Sequence, residues 1–143
     1  MVRSSTPTID RAEEVAHDWI NELGDYLDWS NDARTHRLLR TVLHAIRDFL
    51  TVDEAADLAA QLPVLIRGIY YEGWDPSSTP ARPHTAVAFM DRINAAFERD
   101  PLENPEAAVA CVIKLLYRHV TSGEMTQVRR SMRKDLHFLF PDA

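Results

Sequence analysis

Apolar residues recur along this chain at helical spacing. Ala16, Trp19, Ile20, Leu23, Tyr26 and Leu27 fall on one stripe at steps of three and four, which predicts a first helix from Ile9. Asp10, Glu13 and Glu14 fall in its first turn, where the positive end of the helix dipole favours them. Gly24 weakens the helix late, and Trp29-Ser30-Asn31-Asp32 supplies a stop and a new cap. A second helix is expected over 33–50, with Leu39, Val42, Leu43, Ile46, Phe49 and Leu50 on a wide apolar face. Thr51-Val52-Asp53-Glu54 fits a capping box, which sets the start of a third helix faced by Ala55, Leu58, Ala59 and Leu62. Pro63 disfavours helical geometry at Leu62, so 64–71 is expected as a short helix or a kinked continuation.

Residues 73–84, GWDPSSTPARPH, have the composition of a linker with a flexible exit and carry no apolar period. Beyond them the pattern begins again. Seventy residues after the first-half positions stand Phe89, Met90, Ile93, Ala96 and Phe97, then Val109, Val112, Ile113, Leu116 and Val120. Thr121-Ser122-Gly123-Glu124 offers a second capping box at the same offset. Leu58, Leu62, Ile66, Ile69 and Tyr70 correspond to Val128, Met132, Leu136, Leu139 and Phe140. Asn104 and Pro105 supply the cap and first position of the second helix of this copy. Arg133 replaces Pro63, so the last helix is expected to run unbroken over 124–140. The fold predicted is all-α: a compact helical bundle of two tandem copies of a three- or four-helix unit with pseudo-symmetry. Residues 1–8 form a disordered tail in this scheme, 9–72 the first copy, 73–84 the linker and 85–141 the second copy. Each copy is small, so the two are expected to share one core.

Composition narrows the function. Of 143 residues 45% are apolar, enough for a normal core, and the net charge is −6. That charge lies wholly in the residues up to Glu72; the remainder is neutral, so an anionic partner must meet the second half. Cys111 is the only cysteine and stands among Val109, Ala110, Val112 and Ile113, as a buried thiol would. No apolar run approaches the roughly 20 residues of a membrane span, and the N-terminus lacks the apolar core of a secretory signal. A reducing cytoplasm is the expected location.

A set of runs carries a family resemblance. Val42-Leu43-His44-Ala45-Ile46-Arg47-Asp48, Glu54-Ala55-Ala56, Ala59-Ala60-Gln61-Leu62-Pro63 and Ile66-Arg67-Gly68-Ile69-Tyr70-Tyr71-Glu72-Gly73-Trp74 together resemble the bacterial DUF2267 family. The likeness extends from Ile9 to Pro141 and includes the two-copy layout. It implies an all-helical cytoplasmic bacterial protein and assigns no activity or catalytic residue.

The candidate chemistry is sparse. His36, Arg40, His44 and Asp48 stand four apart on the second helix, with Arg37 and Arg47 beside them. They form either a site where Arg40 and Arg47 grip an anion beside His44, or a solvated stripe with a His44–Asp48 helical pair. The six histidines include no pair at i, i+4, and no metal or cofactor is expected. No serine elbow or glycine-rich phosphate loop is present, and an enzyme is disfavoured. Arg129, Arg130, Arg133 and Lys134 make a basic C-terminal helix, with Lys114 and Arg118 before it. It suits an ordinary solvated face, an acidic protein surface (a second copy of this chain included) or, less well, nucleic acid backbone. Tyr71 and Trp74 either staple the copies together or stand exposed as contacts. The leading expectation is non-catalytic protein binding or self-association. Nucleic-acid binding and a small-ligand or enzyme site at His44, Arg40 and Arg47 are the alternatives.

Overall fold

The computed structural model describes residues 6–141, and those residues contain helices and no strand. The α-helices are α1 (Pro7–Leu27), α2 (Asp32–Phe49), α3 (Val52–Ala59), α4 (Val64–Tyr71), α5 (Ala86–Ala95), α6 (Pro105–His119) and α7 (Ser122–Ser131). Short 3-10 turns occupy Pro76–Ser78 and Lys134–Leu139. Residues 1–5 of the expected tail lie outside the described residues. Pro7 and Thr8 are already helical, because proline at the first helical position sacrifices no hydrogen bond.

Helix ends follow local chemistry. Gly24 does not end α1, which continues to Leu27 and closes on Asp28 in the left-handed region (φ 56). The Trp29 amide then bonds back to the Gly24 carbonyl at 3.0 Å, a Schellman-type closure. A Cβ at Gly24 would come within 3.3 Å of the Trp29 carbonyl oxygen, so the close return of the chain needs a glycine there. Thr51 and Glu54 form the full capping box: the Glu54 amide donates to the Thr51 hydroxyl and the Thr51 amide to the Glu54 carboxylate at 3.0 Å. At Thr121 only half of the expected box exists. The Glu124 amide donates to Thr121 Oγ1, but the Thr121 amide donates to Gln61 of the other half instead.

The unbroken last helix is not found. α7 stops at Ser131, Met132 and Arg133 are extended, and the chain re-coils as the Lys134–Leu139 turn. The break falls at the same offset as Pro63, although no proline is there. Met132, Leu136, Leu139 and Phe140 are buried in the folded-back chain, whose last turn packs on α6; their spacing would suit one face of a straight helix equally, so the period alone announces no break. Two bonds hold the fold-back. Arg129 Nε–H donates to the Phe140 carbonyl at 2.7 Å, and His137 Nε2–H to the Met132 carbonyl at 3.0 Å.

The buried side chains form one cluster reaching from Trp19 to Phe140. α1 packs on α2 and α6, α5 packs on α2 and α6, and α3 meets α7. At α1–α6 the Trp19 ring stacks on His119 (centroids 4.7 Å apart); at α5–α2, Phe89 meets Phe49 edge-on at 5.2 Å. The 73–84 segment is tied to this core. Ala81 is buried and its amide donates to the Asp48 carbonyl at 2.7 Å, while His84 stacks on Phe49 at 4.9 Å. A proline-rich composition indicates absence of helix, not absence of packing.

Candidate functional site

The polar row of α2 converges on the end of α4. His44 is half-buried, and its Nε2 lies 2.7 Å from the Ile69 carbonyl oxygen. A carbonyl only accepts, so Nε2 carries the proton. Burial, with the Arg47 and Arg40 charges behind it, pulls the imidazole below its ordinary value, against the opposing effect of the Ile69 bond and of Glu72. Arg47 is 3% exposed, which the solvated-stripe alternative does not anticipate. Its Nη1 donates to the carbonyls of Tyr70 (2.8 Å) and Glu72 (2.7 Å). Its Nε and Nη2 grip the Asp48 carboxylate at 2.8 and 3.2 Å. Asp48 therefore pairs with Arg47, and with Arg92 at 2.7 Å, in place of the expected His44–Asp48 pair. Arg40 reaches the Glu72 carboxylate at 3.4 Å.

Three candidate residues thus meet at one place, where His44 and Arg47 bind the chain's own backbone and Arg40 the Glu72 carboxylate. α4 has eight residues, and its last carbonyls have no helical partner. His44 and Arg47 supply the donors, and the Arg47 cation sits where the helix dipole is negative. Tyr70 is buried and its hydroxyl donates to the Ala55 carbonyl at 2.9 Å, with burial pushing the phenol far up. Tyr71 and Trp74 are half-buried against the core with rings 5.2 Å apart, and Trp74 Nε1 is buried without a partner among the described residues.

The basic set divides at the end of α7. Arg129 is half-buried and spent on the Phe140 carbonyl, while Arg130, Arg133 and Lys134 are exposed. Arg133 lies 3.4 Å from the Asp135 carboxylate. Arg133 and Lys134 lie beyond the helix, so the basic segment is a helix end and a turn, not one helical face. The next turn adds a residue that pattern reading missed: Phe138, 67% exposed. Its position seventy residues earlier is the exposed Gly68, and that was the available signal.

Among the described residues three surface recesses stand out, and none of these three is lined by Arg40, His44 or Arg47. One of about 410 Å³ opens between the ends of α1 and α6, beside Tyr26, Trp29 and Cys111. Cys111 is half-buried, and burial pushes its thiol up, the wrong direction for a nucleophile. A second, of about 160 Å³, lies between α3 and α7 and is lined by Glu54, Asp57 and Glu124. Burial and the charges of Asp57 and Glu54 raise the Glu124 carboxyl. Burial also acts to raise Glu54, but bonds from Ser131 and Thr51 outweigh it and bring that carboxyl down. Among the described residues no group of three or more His, Cys, Asp or Glu could hold a metal ion. No helix of these residues is long and apolar enough to cross a membrane.

The chain belongs to the DUF2267 family, described as an uncharacterized conserved protein, whose model matches residues 16–139. The match begins seven residues inside Ile9 and ends two before Pro141, and so runs from the middle of α1 to the end of the last 3-10 turn. No curated protein matches the chain.

Proposed function

We propose that this DUF2267 chain is a non-catalytic helical scaffold that works by binding an acidic protein surface, a second copy of itself first of all. The observation that carries the reading is Phe138, 67% exposed and four residues from Lys134, in a turn flanked by Arg130 and Arg133. An exposed aromatic beside arginines is the composition of a binding hot spot. The same chain offers an acceptor in the recess of Glu54, Asp57 and Glu124, where crowded negative charge holds the Glu124 proton too tightly. A docked Lys134 or Arg133 would relieve that charge.

The two-copy reading supplies the frame. Trp19 with His119 and Phe89 with Phe49 are pairs related by the seventy-residue offset with the helices exchanged. So are the ion pairs Glu22–Arg118 and Arg92–Asp48, with their signs reversed. Arg67 donates to the Leu62 carbonyl as His137 does to Met132. Arg47 donates to Tyr70 and Glu72, and Tyr117, its counterpart, donates to the Pro141 carbonyl at 2.6 Å. These correspondences support two copies, 9–72 and 85–141, packed about a pseudo-two-fold axis that passes near the α3–α7 contact.

Size-exclusion chromatography with light scattering at two salt concentrations tests the binding reading. A dimer is expected at low salt, weakened by high salt and lost in Phe138→Asp or in Arg133→Glu/Lys134→Glu. A strict monomer at high concentration and low salt overturns self-association. The nucleic-acid alternative rests on the same corner. A mobility shift at low salt that Arg130→Glu/Arg133→Glu abolishes would favour it over the protein partner. The alternative at Arg40, His44 and Arg47 has less to recommend it, because their donors already serve the end of α4 and Glu72.

A further inference from the structure

The cleft between the ends of α1 and α6 has no counterpart of its own kind, and its difference from the other half is chemical. Tyr26 and Trp29 come from the end of α1 and the turn after it; Ala107, Ala108 and Cys111 come from the first turns of α6. Leu102 of the preceding loop completes an apolar lining. The volume, about 410 Å³, falls in the range of small-molecule sites.

Seventy residues away, the positions matching Tyr26 and Trp29 are Ala96 and Arg99, and those matching Ala107 and Cys111 are Arg37 and Thr41. Arg37 lines the matching recess, of about 330 Å³, and gives it a charged wall: Nη1 donates to Asp100 Oδ1 at 2.7 Å and to the Ala96 carbonyl at 3.4 Å, with its guanidinium 4.8 Å from the centre of the Phe97 ring. One end of the bundle is thus floored by a charged side chain. The other is walled by two aromatics and floored by alanines and a thiol.

One cation lines the cleft at its aromatic end, and a second, Lys114, stands on Tyr26 with Nζ 4.2 Å from the ring centre. The Arg34 guanidinium lies over the Trp29 ring at 4.5 Å. Nη2 donates to the carbonyls of Asp100 (2.8 Å) and Pro101 (3.3 Å), and Nε lies 3.5 Å from the Asp100 carboxylate. These contacts fix the group and leave Nη1 without a partner among the described residues. Glu103 also edges the cleft, but it is exposed, where water screens its charge. The side chain of Arg34 is 20% exposed and cannot swing away without breaking its bonds.

The geometry points to this cleft as a binding site for a flat aromatic carboxylate of one or two rings, its ring between Tyr26 and Trp29 and its carboxylate on Arg34. Aromatic walls reward planar ligands, and a guanidinium with a donor to spare selects a carboxylate from neutral rings of the same size. The site is separate from the basic corner around Phe138 and does not depend on that corner being an interface.

Cys111 makes the test specific, because it is the chain's only thiol and it lines the cleft. Naphthoate and its uncharged alcohol serve as probes. Their affinities are measured by calorimetry, and their occupancy by the rate at which iodoacetamide alkylates Cys111. Naphthoate is expected to slow alkylation saturably at a half-point equal to the calorimetric Kd, and the alcohol to bind about tenfold more weakly. Ala107→Arg puts the bulk of the matching Arg37 side chain into the cleft from an exposed, helix-tolerant position and should lower naphthoate affinity at least about tenfold with the melt unchanged. Arg34→Gln should weaken naphthoate and leave the alcohol alone. Absence of protection, or equal affinity in Ala107→Arg, overturns the site. Equal binding of acid and alcohol overturns the ligand class.

Discussion

The Arg47 guanidinium donates to the carbonyl oxygen of Tyr70 at 2.8 Å, across the junction of α2 and α4. The contact is buried, and the same nitrogen reaches Glu72 while the other two hold Asp48. One cation therefore closes the C-terminus of a helix too short to be stable by itself. Replacing it leaves two carbonyls without their donor and the Asp48 carboxylate with Arg92 alone. Arg47→Met is expected to cost about 3 kcal/mol or more, since breaking a buried pair strands its partner. Arg47→Lys should recover only part of this, because a single ammonium cannot span both carbonyls and the carboxylate. Urea unfolding midpoints of the three proteins check the order.

His44 adds a pH dependence whose sign follows from its environment. The folded state holds the imidazole below its ordinary value because it is buried beside Arg47 and Arg40. Between that lowered value and the unfolded value of about 6.5 the unfolded chain binds more protons, so stability rises with pH there. The contribution of His44 is fully present above about pH 6.5 and is lost on acidification below it. His44→Gln keeps a donor for the Ile69 carbonyl and removes the titration. Melting temperatures from pH 8 down to pH 5 should therefore fall less steeply in the variant than in the parent. Parallel curves would remove His44 from the account.

Much of the fold could be read from the sequence, and the physical reason is the strength of its local signals. The Thr51 cap, the Asn104–Pro105 start and the apolar stripes are local, and each has one chemical meaning wherever it stands. The break at Met132 could not be read in the same way. It depends on where Leu136, Leu139 and Phe140 must go in three dimensions, and no proline announces it. The site residues divide on the same line. Period placed Arg40, His44 and Arg47 on one face of α2. That they serve the end of α4 required knowing that α4 docks there. Phe138 was missed because an apolar residue in an apolar-rich tail looks like core, although it stands seventy residues after Gly68 where Phe140 stands after Tyr70.

Glu124 carries a dependence of the opposite sign to that of His44. Burial and the charges of Asp57 and Glu54 raise its carboxyl, so between about pH 4.5 and the raised value the folded state binds more protons than the unfolded. Its unfavourable contribution appears as pH rises through that window and is fully developed above it. Glu124→Gln removes the charge and retains the shape. The variant should melt at a higher temperature than the parent at pH 7, with the advantage vanishing as pH falls below about 4.5. A lower melting temperature at pH 7 would mean that Glu124 makes favourable contacts that outweigh the crowding.

Asp48 and Arg92, 2.7 Å apart, separate the value of an exposed ion pair from that of a buried one. The Arg92 side chain is 43% exposed and its removal frees it to water, so Arg92→Gln should cost less than about 1 kcal/mol. Asp48 is different: it is also the counter-ion of Arg47, whose side chain is only 4% exposed. Asp48→Asn leaves that cation without its carboxylate and should cost about 2–4 kcal/mol. A double-mutant cycle locates the difference. Asp48→Asn combined with Arg92→Gln should be nearly additive, whereas Asp48→Asn combined with Arg47→Met should cost far less than the sum, because the second change removes the stranded charge. The ion pair at the matching offset, Glu22 with Arg118, serves as the reference. There the Arg118 side chain is 66% exposed and Glu22 has further partners in Tyr26 and His119, so Arg118→Gln should resemble Arg92→Gln. If Asp48→Asn proves as mild as Arg92→Gln, the Tyr70 and Glu72 carbonyls alone suffice to hold Arg47, and the carboxylate is not part of the lock between α2 and α4.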